Sequence, residues 1–290
     1  MNLSLALRLG RISNLPTVWT NVMVGALLAG GGLVDARLPI LMLALSLFYV
    51  GGMFLNDAFD REFDARHRPD RPIPSGQVSA RQVFAIGFGL LAAGFVGVAI
   101  ASRGSDGLPG WRALASAVAL AAAIVFYDAH HKGNPLSPLV MGLCRVFVVL
   151  TAAWAVTTAL PPPVALAATA LLCHLIGLTY IAKQEHLARV GNLWPLAFLA
   201  LPVTYGVVLA LTAPAAWLPL ALYAALLLYA LGRLRRRGPG DVPRAVVTLI
   251  AGMSVLDGVV LAGAGQLLPC LLAVAAFALT LALQGWVSGT

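Results

Sequence analysis

An all-α fold, a polytopic bundle of nine or ten membrane helices, is what this sequence predicts. Three observations predict it. The chain of 290 residues is 60% apolar and only 10% charged, with a mean hydropathy of +0.89, well above the usual apolar share of soluble domains. The apolar residues gather into runs of about 20, the length an α-helix needs to cross the hydrocarbon core. No run alternates with period two, as a strand of a β-barrel would.

In chain order the runs are Leu15–Leu33, Leu38–Phe59, Ala80–Ala101, Trp111–Phe126, Leu136–Thr158, Pro163–Lys183, Leu193–Leu211, Ala215–Leu231, Ala245–Ala264 and Leu267–Trp286. The first follows Arg8 and Arg11, is too long for the apolar centre of a signal peptide and lacks a convincing cleavage site, so it is expected to stay as the first membrane helix. The last two are separated only by Gly265-Gln266, so one of them is either tilted or re-entrant, or the count is nine. Gly and Pro inside the runs are compatible with membrane helices. A single domain over 1–290 is expected.

Charge then orients the bundle. If the runs alternate, 16 of the 19 basic residues fall on one side and only Arg37, Arg103 and Arg112 on the other. The positive-inside rule makes the rich side, with the N-terminus, cytoplasmic, and the setting a multi-pass protein of the cell (inner) membrane. The net charge of +8 is thus explained by topology, and no nucleic-acid partner is expected. Cys144, Cys173 and Cys270 all lie in apolar runs without CxxC spacing and read as small core residues.

The second run ends in Asn56-Asp57-Ala58-Phe59-Asp60-Arg61-Glu62-Phe63-Asp64, four carboxylates in nine residues. Charge is expensive there, roughly 2.5–3.5 kcal/mol each near a helix centre and less towards an end. If the helix continues, Asn56, Asp60 and Asp64 share one face and Asp57 lies a quarter-turn away. Such an oxygen-rich stripe suits a hard cation such as magnesium, bound with water and phosphate oxygens. The segment Arg66-His67-Arg68-Pro69-Asp70-Arg71-Pro72-Ile73-Pro74-Ser75-Gly76 follows, a stiff basic loop. Arginine forks beside a metal-type stripe fit a diphosphate; without a ligand the same loop is an ordinary positive-inside segment.

The run Asn56-Asp57-x-x-Asp60-x-x-x-Asp64 followed by Arg71-Pro72-Ile73-Pro74-Ser75-Gly76 resembles the first signature of the UbiA superfamily of intramembrane prenyltransferases. Arg11-Ile12-Ser13-Asn14-Leu15-Pro16-Thr17-Val18-Trp19-Thr20-Asn21 is similar to that family's approach to its first helix, and Tyr127 with His131-Lys132 stands where relatives carry Tyr followed by Lys-Arg. The resemblance implies a helical bundle around a central cavity, in which a polyprenyl diphosphate is ionised with Mg2+ and its allylic carbon passed to an acceptor. It implies that Asn56, Asp57, Asp60, Asp64 and Glu185 hold metal, and that Arg66, Arg71, Lys132 and Lys183 neutralise the departing diphosphate.

The family's second signature is altered. Where relatives carry DxxxD at the end of the sixth helix, this chain has Lys183-Gln184-Glu185-His186-Leu187-Ala188-Arg189, with Glu185 for the first acid and Arg189 for the second. Three readings are open: a second metal held by Glu185 and diphosphate, with Lys183 or Arg189 replacing part of the cation charge; a protein that binds an isoprenoid lipid without turning it over; or a plain cytoplasmic helix end.

Other polar residues stand in apolar surroundings. Arg145 faces diphosphate or an acceptor oxygen, pairs with Asp128, or snorkels to the interface. Asp257 shows no evident partner. His174 reads as a hydrogen-bonded packing residue. Tyr127 reads as an interface anchor, or as an aromatic face over an allylic cation. The run Arg233–Arg237 reads as an anchor to anionic lipid. The function expected is magnesium-dependent transfer of a prenyl group from a polyprenyl diphosphate to an unidentified acceptor, with Asp60, Asp64, Glu185 and Arg145 at the chemistry. The competing function is non-catalytic binding or transport of an isoprenoid or phosphate-bearing lipid.

Overall fold

The computed structural model describes residues 1–104, 107–108, 110–183, 194–236 and 238–287, with the side chains of residues 183, 194 and 195 excepted. Among the described residues twelve α-helices run in order: α1 Leu3–Leu9, α2 Leu15–Leu28, α3 Arg37–Phe59, α4 Arg61–His67, α5 Ala80–Ala101, α6 Trp111–His130, α7 Ser137–Trp154, α8 Pro162–Lys183, α9 Ala200–Thr212, α10 Trp217–Arg236, α11 Asp241–Gly263 and α12 Leu267–Gln284. No strand occurs among the described residues. Eight of the helices are long and apolar enough to cross a membrane: α3, α5, α6, α7, α8, α10, α11 and α12.

The ten expected runs all become helix, but two come out short. α2 has 14 residues, about 21 Å of rise and less than the ~30 Å hydrocarbon core. It stops at Leu28 because Gly30 takes φ 94° and the Gly31 amide turns back to the Ala26 carbonyl at 2.9 Å, a glycine stop that the apolar content of Leu15–Leu33 conceals. In the seventh run a 3-10 turn at Trp194–Leu199 leads into the 13 residues of α9. The last two runs are both long helices, of 23 and 18 residues, closed into a hairpin by Gly265 at φ 75°. α1 and α4 lie outside the ten.

Beside a small third cluster of Leu5, Leu9, Phe54, Ala58, Val78 and Val83, the core of the described residues forms two large clusters. One is built by α3, α5 and α6, the other by α8 to α12, and α2 and α7 contribute side chains to both: Val18, Val22 and Val148 to the first, Met23, Val24 and Val149 to the second. Within the first, small residues let α3 and α5 approach closely. A Cβ on Gly51 would lie 2.9 Å from the Gly87 carbonyl oxygen, and one on Gly94 would lie 2.7 Å from that of Ala44. Within the second, α11 is the central post, packed on α2, α8, α9, α10 and α12. Its apolar stretch is 89% buried against 22% for α12 and 28% for α5, which face outward. A helix that is apolar all round, as α11 is, needs protein on every side.

The basic run after α10 differs from a free anchor. Asp241, fully buried, accepts from Arg233 and Arg236, each at 2.8 Å, and from the Gly238 amide. Two arginines of the run therefore close the α10–α11 turn; Arg237 lies outside the described residues. On the other face Arg37 is clamped by Asp35, and Arg112 lies between Trp111 and Trp154 with a bond to the Thr158 carbonyl.

Candidate active site

The acidic stripe spans the joint between α3 and α4. Asn56 and Asp57 occupy the last turn of α3, Asp60 caps it, and Asp64 lies on α4. The strand of backbone bonds is kept across the joint, from the Asp60 amide to Asn56 at 3.0 Å and from the Asp64 amide to Asp60 at 2.8 Å. The expected periodicity therefore holds approximately, although one unbroken helix does not.

The carboxylates at this helix end work against the negative pole of α3, which favours cations nearby. The structure supplies them. Asp57 Oδ1 accepts from Arg11 Nη2 at 3.3 Å and from Arg71 Nη1 at 3.1 Å. Asp60 meets Lys132 Nζ at 2.7 Å, with His131 Nε2 at 3.7 Å. Asn56 takes a long bond from Arg11 at 3.4 Å and donates from Nδ2 to Asp128 Oδ1 at 3.1 Å. Asp64 is buried and meets no basic group among the described residues. Lys132 also lies 3.7 Å from the centre of the Phe63 ring.

Two local devices aim the arginines. Arg11 has φ 43°, a left-handed conformation that strains a non-glycine residue by about 1–3 kcal/mol. Its carbonyl is held by the Asn14 amide and the Tyr49 hydroxyl. Arg71 sits in a folded turn, its carbonyl taking bonds from the Ser75 amide at 3.0 Å and the Ser75 hydroxyl at 2.7 Å, with Gly76 at φ 77° completing the reversal.

Behind this mouth lies a cavity of about 290 Å³ between the two core clusters. Arg11, Tyr127 and Asp128 line it with apolar side chains of six helices, among them Val18, Phe48, Leu120, Val148, Leu175 and Met253. α3 and α8 both line it. A second pocket, about 300 Å³ and polar, is lined by Asp60, Glu62, Arg66, His67, His131 and Lys132. Asp128 lines both. Tyr127 lines the cavity with its ring stacked on His131 at 4.9 Å.

Arg145 lines the cavity deeper in. It neither pairs with Asp128 nor snorkels: it is 8% exposed, stacks 5.2 Å from the Tyr49 ring centre and donates to Asn21 Oδ1 at 3.3 Å. Asn21 in turn donates to Asp257 Oδ2 at 2.7 Å, which gives Asp257 the partner its sequence context hides. His174 is a packing residue, as expected: Nε2 meets the Leu249 carbonyl and so donates, and Nδ1 accepts from the Tyr223 hydroxyl at 2.8 Å.

The site thus unites Asn56, Asp57, Asp60, Asp64, Arg66, Arg71, Tyr127 and Lys132, and places Arg145 on the same cavity. Glu185 and Arg189 lie outside the described residues, as does the side chain of Lys183, whose backbone ends α8. Arg11, Asp128, Asn21 and Tyr49 were not assigned from sequence. The one signal for Asp128 was a carboxylate inside the last turn of an apolar helix. Among the described residues, no three His, Cys, Asp or Glu side chains converge as a ready metal cage. The donors are all hard oxygens, of the kind that share a cation with phosphate.

A helical bundle with an apolar cavity, closed at one end by carboxylates interleaved with guanidinium and ammonium groups, defines a membrane protein suited to an amphiphile with an anionic head. This chain belongs to the UbiA prenyltransferase family, whose model matches residues 18–246, and it is a multi-pass membrane protein. It is 34% identical over 146 residues to a digeranylgeranylglyceryl phosphate synthase of Methanopyrus kandleri, covering 49% of this chain and 51% of that one. Over 116 residues it is 36% identical to the synthase of the same name from Methanothrix thermoacetophila, covering 40% of each. The match spans about half the length of these relatives or less. Among solved structures, the apo UbiA homologue from Aeropyrum pernix K1 superposes with a TM-score of 0.64 at 20% identity, covering 87% of this chain and 96% of that one. The UbiA homologue from Archaeoglobus fulgidus bound to GPP and Mg2+ gives 0.55 at 13%, covering 88% and 99%. At these identities the likeness is one of fold.

Proposed function

We propose that this protein is a magnesium-dependent prenyltransferase that acts as one unit over 1–290. In this reading it transfers the prenyl group of an allylic polyprenyl diphosphate to an acceptor within the membrane. The observation that carries the reading is the mouth itself. Asp57 and Asp60 are already paired with Arg11, Arg71 and Lys132 where an apolar cavity opens. A diphosphate fits there because it needs cations, and its prenyl tail fits the cavity because the tail needs apolar walls.

The residues fit magnesium by donor chemistry: the Asn56 amide oxygen and the carboxylates of Asp57, Asp60 and Asp64 are hard ligands, and Glu185 would add another. Magnesium held by these oxygens would supply positive charge that stabilises the departing diphosphate. Arg66, Arg71, Lys132 and Lys183, with Arg11, neutralise the remaining phosphate oxygens. The apolar wall keeps water from the allylic carbon while its bond to oxygen breaks and the bond to the acceptor forms. Tyr127 offers its ring to that carbon's positive charge. Arg145 offers its guanidinium to the acceptor from the cavity wall. The relatives' names support a glyceryl phosphate lipid as acceptor, and the A. fulgidus neighbour, bound to GPP and Mg2+, supports the donor class. The 16-to-3 division of basic residues supports a cytoplasmic N-terminus and an inner-membrane setting.

The test incubates purified protein with magnesium, allylic diphosphates of several lengths, and geranylgeranylglyceryl phosphate or no acceptor, and measures diphosphate release. Release that depends on magnesium and rises with the acceptor is expected. Asp60→Asn should weaken magnesium-supported donor binding about 10–100-fold. Tight donor binding with no release under any acceptor would instead make the protein a lipid binder.

A further inference from the structure

Asp128, like Asp64, is a buried acid of the site that meets no basic group among the described residues. It lies in the last turn of α6, where the helix dipole disfavours an anion, and it is only 5% exposed. Its Oδ1 accepts from Asn56, but its Oδ2 is buried without a hydrogen-bond partner among the described residues. The nearby basic groups are committed elsewhere: Arg11 and Arg71 to Asp57, Lys132 and His131 to Asp60, Arg145 to Asn21. A buried carboxylate in that position carries a desolvation cost that an amide alone does not offset. Its place is equally specific, on the wall shared by the apolar cavity and the polar pocket that holds Asp60, Arg66 and Lys132.

We propose that Asp128 is a cation ligand of this site: its Oδ2 binds a divalent ion that accompanies the substrate diphosphate, so that α6 contributes an acid beside those at the α3–α4 joint. The inference rests on the transferase reading and adds to it. Asn56 then has two tasks, offering its own oxygen to the mouth and, through Nδ2, turning Asp128 so that Oδ2 faces the ion. An acid from α6 also adds negative charge to a sequence that has lost one, since Arg189 stands in place of the second acid of the altered signature.

The test reads metal binding directly. Full-length protein in nanodiscs is titrated with Mn2+ in the presence and absence of the unreactive S-thiolodiphosphate of geranylgeraniol, and bound Mn2+ is counted by electron paramagnetic resonance. Wild type should take up Mn2+ when the analogue is present. Asp128→Asn, nearly isosteric and able to keep the Asn56 bond, should raise half-saturating Mn2+ about ten-fold or more. Asp128→Glu, which restores a carboxylate, should recover much of that loss. Superimposable wild-type and Asp128→Asn titrations overturn the assignment while leaving the transferase reading in place. Equal weakening by Asn and Glu also overturns it, since packing rather than ligation would then be at fault. Absence of analogue-dependent Mn2+ binding in wild type overturns the transferase reading itself, and this proposal with it.

Discussion

Removing the charge of Arg145 should destabilise the bundle chiefly through Asp257, a residue it does not touch. The amide of Asn21 joins the two, 3.3 Å from Arg145 on one side and 2.7 Å from Asp257 on the other. The two links and the width of the amide put the charges at most roughly 8 Å apart, which at an effective dielectric of about 20 is an attraction of about 2 kcal/mol. The hydrogen bonds themselves add less, about 0.6 kcal/mol each in membrane helices, because the unfolded chain in the bilayer also finds partners. Arg145→Met should therefore lower stability by about 2–3 kcal/mol, and Asp257→Asn by a similar amount. The double variant should fall short of their sum by about 2 kcal/mol, because each single change leaves a buried charge behind and the pair of changes leaves none. The assay is reversible unfolding in mixed micelles of the four members of the cycle. Effects that add to within about 0.5 kcal/mol would show that the charges are independent and that Asn21 does not connect them.

The packing and the topology make two further predictions. Gly25→Ala drives a Cβ into the Val149 carbonyl oxygen and to 2.9 Å from the Ala152 Cβ, so α2 must move off α7, at a cost of about 1–3 kcal/mol. Gly89→Ala, with nothing within 4 Å, should be neutral or slightly stabilising, and equal melting temperatures for the two variants would refute the close contact of α2 with α7. Single cysteines at Ser75→Cys and Arg235→Cys should be labelled from the same, cytoplasmic face and Val34→Cys from the other; labelling of the first two from opposite faces would overturn the orientation.

The bundle was legible because a membrane helix declares itself by length and hydropathy, and all ten runs became helix. What hydropathy does not encode is where such a run stops. Gly30 to Gly32 cut α2 short, and a 3-10 turn took the start of the seventh run, because backbone conformation and not apolar content ends a helix. The mouth was legible where its residues are neighbours in sequence: Asn56, Asp57, Asp60, Asp64 and Arg71 share one signature. Its completion was hidden because the remaining members come from distant segments. Arg11 reaches Asp57 across 46 positions, and Asp128 meets Asn56 across 72. Arg145 stands out in the sequence as too deep to be without a partner, but of the alternatives the sequence offers neither pairing with Asp128 nor snorkelling is what the fold does. In sequence Asp128 is the nearer acid, whereas in space α2 lies against α7 and brings Asn21 to it.

A single oxygen, Asp57 Oδ1, is gripped by two arginines from separate parts of the chain, one just before α2 and one in the turn after α4. Each holds its segment against the end of α3 through that shared atom. A cation that took this oxygen for itself would release both guanidinium groups together and leave them for phosphate oxygens, so one atom couples the two segments of the rim.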